Sequence, residues 1–316
     1  MQKSFQNSTG ALRFTLTNDY LFHIVFQENE EVLRGLLCCL LGLKPEQIIS
    51  IILENPINPH DHVDDKEVIL DLIITLNNQQ KINIEMQVIH GKDWPERSLT
   101  YLCRSFDNLK HGQNYLAVMP TIHIGILDFT LFPKYPEFYA HYAMMNTKNH
   151  NIYSDKLLLN VLDLKQVHLA TPEDIQCGLQ KWAKLFKATT WEEIKMLATT
   201  DKTFENVANT MHRALTDEEV RLKCEARERY ERDRISLYDS GHREGLKEGR
   251  QEGLKEGLKE GLKKGRQEGL KDGLTQGRQE ELNSTIQKLT EKGMSAADIA
   301  DLLDIPLTEV EGIITK

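Results

Sequence analysis

Between Asn18 and Leu43 apolar residues such as Leu21, Phe22, Val25, Phe26, Leu33 and Leu37 recur at helical spacing, interrupted by the polar run Glu28–Glu31. That period predicts one broken helix or two short ones. Ile48–Leu53 is a short apolar run, and Asn55–Asp65, with Pro56 and Pro59, has turn chemistry. The period then changes to two. Val68–Leu76 and Lys81–Ile89 read as strands joined by Asn77–Gln80, followed by a helical pattern over Trp94–His111. Thr121–Phe129, Phe138–Met145 and Lys156–Asp163 read as further strands, so the fold class expected is α/β, a mixed sheet flanked by helices.

After the helix start Thr171-Pro172-Glu173 the pattern is helical throughout. Short helices are expected over Glu173–Phe186, Trp191–Ala198 and Phe204–Leu215, and a charged segment, Thr216–Ser240, leads onward. From Gly241 to Gly277 a glycine then stands at every fourth position, ten in all. Beyond it, Leu282–Lys292, Ser295–Leu303 and Thr308–Ile314 read as three short helices punctuated by Gly293 and Pro306. The expected organisation is a globular domain over residues 1–170, a helical region over 171–240, the glycine-tetrad segment over 241–280 and a small helical tail over 281–316.

The tetrads carry a physical cost. Ten glycines in a helix forgo on the order of 10 kcal/mol relative to alanine, while each Glu/Lys pair, such as Glu252/Lys255, returns only about 0.2–0.5 kcal/mol. Close backbone contact along the glycine stripe would offset the difference. A period of four exceeds 3.6, so sustained pairing would supercoil right-handed. The segment is expected to be a helical spacer or oligomerisation element, with a homo-oligomer, a dimer first, as the assembly. A solitary solvated helix or a flexible charged linker is the alternative. The tail resembles a helix-turn-helix unit, but Glu309 and Glu311 stand where base-reading side chains would be needed, so packing or partner contact is the expected role.

Composition narrows the function. A formal charge of -9 excludes a protein that coats nucleic acid by charge alone, leaving a local basic patch or metal ions for any DNA contact. Five cysteines form neither a CxxC pair nor a zinc-spaced cluster, which fits a reduced, cytoplasmic setting. The segment Met1–Phe14 lacks an apolar core, and the longest apolar stretch, Gly35–Leu43, is too short for a bilayer, so neither secretion nor a membrane anchor is expected.

The candidate chemistry lies in the first two long strands. Asp71 interrupts the apolar run Val68–Ile74, and an unpaired buried carboxylate costs several kcal/mol, about 2–7 for lesser polar groups already. It needs a cation or a metal. In the next strand Lys81, Asn83, Glu85 and Gln87 share one face. Two carboxylates on adjacent strands, with a polar side chain two residues beyond the second, are what Mg²⁺-assisted phosphodiester hydrolysis requires. A half-exposed sheet with Asp71 in a structural ion pair is the alternative. Strand parity separates the two: only a connection with an odd number of residues, or a bulge, sets Asp71 opposite Glu85 or Gln87 and not opposite Met86.

The assembly Asn18-Asp19-Tyr20-Leu21-Phe22, Leu70-Asp71-Leu72, Asn83-Ile84-Glu85-Met86-Gln87, Arg97-Ser98-Leu99-Thr100-Tyr101 and Gly112-Gln113-Asn114-Tyr115 resembles the PD-(D/E)XK nuclease family transposases, also called recombination-promoting nucleases. The resemblance covers roughly Phe14–Asp163; glycine tetrads and a short helical tail are also typical of the group. It implies a restriction-endonuclease-like core, a DNA partner, and metal-dependent DNA cleavage in recombination or mobile-element biology, with Mg²⁺ as cofactor and Mn²⁺ or Ca²⁺ as alternatives. By position, Asp71 matches the PD-type aspartate and Glu85 the (D/E)XK acid, the two metal ligands; Asp19 matches the acid of the first helix. Gln87 stands where the wider superfamily has lysine. A neutral amide orients water but supplies no charge. Either glutamine suffices, Lys81 or Lys66 substitutes, or the protein is a catalytically weak or inactive DNA-binding or assembly protein that retains the fold. Asp64, Asp65 and Glu67 sit beside a turn and read as solvated. Arg97 and Tyr101, four apart on one helical face, read equally as a phosphate contact or as packing and a surface ion pair. His60, His62, His90, His111 and His123 show no ligand spacing and read as structural.

Overall fold

The computed structural model of the chain describes residues 4–55, 71–89 and 93–315. The expected strand residues Val68–Leu70, with Asp64, Asp65, Lys66, Glu67, His60, His62 and His90, lie outside them. Asn18 starts helix α1 (Asp19–Gln27) by accepting the Leu21 N–H, and Asn29 starts α2 (Glu30–Leu41) by accepting the Val32 N–H. These two caps split the apolar run into separate helices. Gly42, at φ 63°, ends α2 in left-handed backbone.

Strands β1 (Ile51–Leu53), β2 (Leu72–Leu76) and β3 (Gln80–Gln87) follow, and helix α3 (Trp94–Phe106) crosses over to β4 (Thr121–Leu127). Strands β5 (Tyr139–Ala143) and β6 (Leu157–Asp163) complete one six-stranded sheet in the order β1-β2-β3-β4-β6-β5. β3, β4 and β6 run parallel; β1/β2, β2/β3 and β5/β6 pair antiparallel. α3 stops at Phe106 rather than His111, with the Asp107 N–H still bonded to the Cys103 carbonyl.

The pleat sorts side chains to two faces. Ile82, Ile84 and Met86 of β3 and Ile122, Ile124 and Ile126 of β4 enter the main core with Phe22 and Phe26 of α1. The opposite face packs under α3, where Trp94 joins Leu127, Val161 and Ala140. Every residue of β4 is buried, as in a parallel strand covered on both sides.

After β6 come α4 (Pro172–Gln176), α5 (Leu179–Lys187), α6 (Trp191–Ala198) and α7 (Lys202–Thr216). The helix expected over Glu173–Phe186 is broken because Gly178 adopts φ 89°. Trp182, Phe186, Phe204 and Met211 share the core of α1 and the sheet, so helices on both sides of residue 170 are packed together. The charged stretch Thr216–Ser240 is itself helical: α8 runs Glu218–Glu291, and its Val220 and Cys224 are buried in the main core.

The chain divides into two compact units, Met1–Ser236 and Leu237–Lys316. In the second, α8 passes through all ten tetrad glycines and ends with the segment expected as a separate helix over Leu282–Lys292. α9 (Ala296–Leu303) and α10 (Leu307–Ile314) follow, and Ile286, Ile299, Ala300 and Val310 form a small core of their own. No helix among the described residues is long and apolar enough to cross a membrane.

Candidate active site

The connection from β2 to β3 is Asn77-Asn78-Gln79, three residues, because Leu76 pairs with Gln80. Asn77 and Asn78 both adopt φ 53°, and the Gln79 N–H donates to the Leu76 carbonyl at 3.0 Å. Asparagine tolerates that left-handed geometry. The odd connection then sets the register Leu72↔Ile84 and Ile73↔Asn83, which extended one step brings Asp71 opposite Glu85. Asn55 holds the backbone there, donating to the Asp71 carbonyl and accepting the Ile73 N–H.

Asp71, Glu85, Gln87 and Asp19 line one cavity of about 820 Å³, with Arg97, Tyr101 and Arg227. Glu85 is only 1% exposed. Arg97 Nη2 lies 2.5 Å from its Oε1 and His123 Nε2 lies 3.5 Å from its Oε2, yet neither oxygen receives a well-formed hydrogen bond. Arg97 also lies over the Tyr101 ring, 5.4 Å from its centroid, so these two residues pack together and the ion pair of Arg97 is with a buried carboxylate, not a surface one. Burial, and next the facing Glu85 charge, push the Asp71 carboxyl up to about 7; an Asn83 hydrogen bond and Arg97 oppose the rise. The site thus holds more negative charge than it neutralises.

Asp19 is engaged. Arg227 of α8 clamps its carboxylate through Nε and Nη2, and the Tyr20 N–H donates to Oδ1 at 2.8 Å. Gln87 lines the cavity, and its Nε2 donates to the Ile89 carbonyl at 3.1 Å, which leaves the amide oxygen as its remaining acceptor. Lys81, one of the two lysines considered as a substitute for the missing cation, pairs with Glu54 and does not line the cavity. Lys66 lies outside the described residues. Among the described residues no group of three or more His, Cys, Asp or Glu is arranged to hold a metal ion. The donors on offer are two carboxylates and an amide oxygen, hard ligands of the kind Mg²⁺ takes alongside water. Buried carboxylate oxygens without hydrogen bonds fit that use.

Three features were missed. His123, whose place next to Glu85 spacing did not reveal, is fully buried there because Asn83 and His123 are register partners across β3 and β4. Arg227 reaches Asp19 from 208 positions away. Gly125, the register partner of Glu85, leaves room for Trp94: a Cβ there would lie 2.2 Å from the indole. Only the glycine itself, in an apolar strand, hinted at a close approach.

The model of one protein family, described as PD-(D/E)XK nuclease family transposase, matches residues 16–241. The match takes in α1, all six strands and the opening turns of α8. No curated protein and no solved structure matches the chain. With the matched segment covering well over half of the 316 residues and containing the cavity with its strand carboxylates, the chain belongs to the PD-(D/E)XK nuclease family transposases.

Proposed function

We propose that the protein is a metal-dependent DNA endonuclease in which Asp71 and Glu85 hold a divalent cation, Mg²⁺ first. The observation that carries this reading is the register that brings Asp71 opposite Glu85 at one cavity, with the Asp71 carboxyl raised to about 7. Two facing carboxylates attract either a proton or a cation, and phosphodiester chemistry needs the cation. A divalent ion bound there supplies an activated water and neutralises charge developing on the phosphate. Gln87, whose amide nitrogen is taken by the Ile89 carbonyl, would accept a hydrogen bond from the attacking water through its amide oxygen and so orient it. Arg97 contributes the fixed positive charge that a neutral glutamine lacks, next to the carboxylates instead of at the position of Gln87. Asp19, clamped by Arg227, orders the cavity wall and is the least available of the four as a ligand. The activity serves recombination or mobile-element processes, as the family description suggests.

The second reading, a DNA-binding or assembly protein without strong cleavage, draws on the same ion pairs: Arg97 occupies Glu85 and Arg227 occupies Asp19. Plasmid nicking separates the two. The full chain with Mg²⁺ or Mn²⁺ should nick supercoiled DNA, and Asp71→Ala should lower the rate by a factor on the order of 10² or more. Equal rates for the two proteins, or DNA binding with no metal-stimulated nicking, would replace the nuclease with the second reading.

A further inference from the structure

Asn83 and His123 connect the two carboxylates from behind. Asn83 Nδ2 lies 3.3 Å from Asp71 Oδ2 and 3.1 Å from His123 Nδ1. An amide nitrogen carries two hydrogens, so it donates one to each partner. His123 Nδ1 must then present its lone pair, which leaves the ring proton on Nε2, 3.5 Å from Glu85 Oε2. Asn83 therefore hydrogen-bonds to both Asp71 and His123, and His123 Nε2 faces the Glu85 carboxylate at ion-pair distance. The pair is closed to solvent: Asn83 is 5% and His123 0% exposed, and the Trp94 and Tyr101 rings stand 6.2 and 6.3 Å from the imidazole. Asn83 Oδ1 and His123 Nε2 are buried without hydrogen-bond partners, a cost that simple packing does not explain.

We propose that Asn83 and His123 are positioning residues, a brace that sets the spacing and orientation of Asp71 and Glu85 for a divalent cation without ligating it. Each carboxylate oxygen has two lone pairs, so a contact from the brace leaves the carboxylate open to a cation on its cavity side. The brace rests on the metal-site reading above, and the test keeps the two apart.

Mn²⁺ binding to the full-length protein without DNA is the measurement, followed by electron spin resonance of the free ion. Wild type should bind, and Asp71→Ala should not. His123→Leu fills the ring's space but removes both polar edges, and it should weaken Mn²⁺ binding about 10–100-fold, as loss of a supporting partner does at metal sites. His123→Gln retains an acceptor for Asn83 and a donor for Glu85, and it should restore most of that loss while melting in the metal-free state at the temperature of the leucine variant. Wild-type Mn²⁺ affinity in His123→Leu, alongside loss in Asp71→Ala, would overturn the brace and leave the metal site standing. Unchanged affinity in Asp71→Ala would overturn the metal site and the brace with it. If His123→Leu fails to fold, Asn83→Ser, which withdraws the bridging amide, decides by the same criteria.

Discussion

Strand β3 and the glycine segment of α8 are both rich in polar residues, and the fold treats them in opposite ways. In β3 all six residues from Ile82 to Gln87 are buried; Asn83 bonds to Asp71 and His123, Glu85 is ion-paired with Arg97, and Gln87 bonds to the nearby Ile89 carbonyl. Between Gly241 and Gly277 every residue is exposed, and nothing lies within 4 Å of the Cβ that an alanine would place at any of the ten glycines. A charge in β3 is a tertiary commitment, since burial without a partner costs several kcal/mol, about 3–5 when one member of a buried pair is removed. A charge in the repeat is a local decoration in water. The same residue types therefore report chemistry in one region and solvation in the other.

The largest expected difference is in hydrophobic truncation. Ile84→Ala, at a position with 0% exposure, should cost about 2–5 kcal/mol, whereas Leu258→Ala, at 73% exposure, should stay within about 0.5 kcal/mol. Denaturant unfolding followed separately for the two units measures both. A Leu258→Ala loss as large as that of Ile84→Ala would mean that the repeat is covered by a partner in solution.

Glycine replacement sharpens the contrast through its sign. Gly125→Ala forces a Cβ to 2.2 Å from Trp94 and should destabilise by about 1–3 kcal/mol. Gly257→Ala meets open space and should stabilise its helix by up to about 1 kcal/mol, read as increased helicity on heating. A destabilising Gly257→Ala would show that another backbone packs against the glycine stripe.

A third test uses pH. The Asp71 carboxyl is raised to about 7 in the folded protein, so its protonated form is favoured there. Its contribution to stability is fully present below the ordinary carboxylate range and is lost as pH climbs toward 7. The metal-free protein should therefore lose stability relative to Asp71→Asn between about pH 4 and 7. Parallel pH profiles for the two proteins would remove the charge conflict from the site.

The smallest effect belongs to the repeat. Neutralising Glu260, paired with Lys264 at 3.0 Å and well exposed, should change helix stability by no more than about 0.5 kcal/mol. The change should vanish in 1 M salt, where the Debye length is about 3 Å.

Short-range periodicity in the sequence determined much of this protein. The helices at Asp19–Gln27, Glu30–Leu41 and Trp191–Ala198, the alternation of Asn83, Glu85 and Gln87 against Ile82, Ile84 and Met86, and the need for an odd connection before β3 were all legible, because each depends on residues a few positions apart. The family likeness was legible too, since its motifs are local strings. Pairing between distant segments was not. The parallel register that puts His123 behind Glu85 follows a crossover through α3, and no local pattern states which residue of β4 will face which of β3. Likewise Arg227 is one of many arginines in a charged helix until Val220 and Cys224 bury its first turns and carry it to Asp19. Only the tertiary structure decided these contacts, because burial of apolar residues elsewhere on each element, and not the charged residue itself, selects the partner that the charge meets.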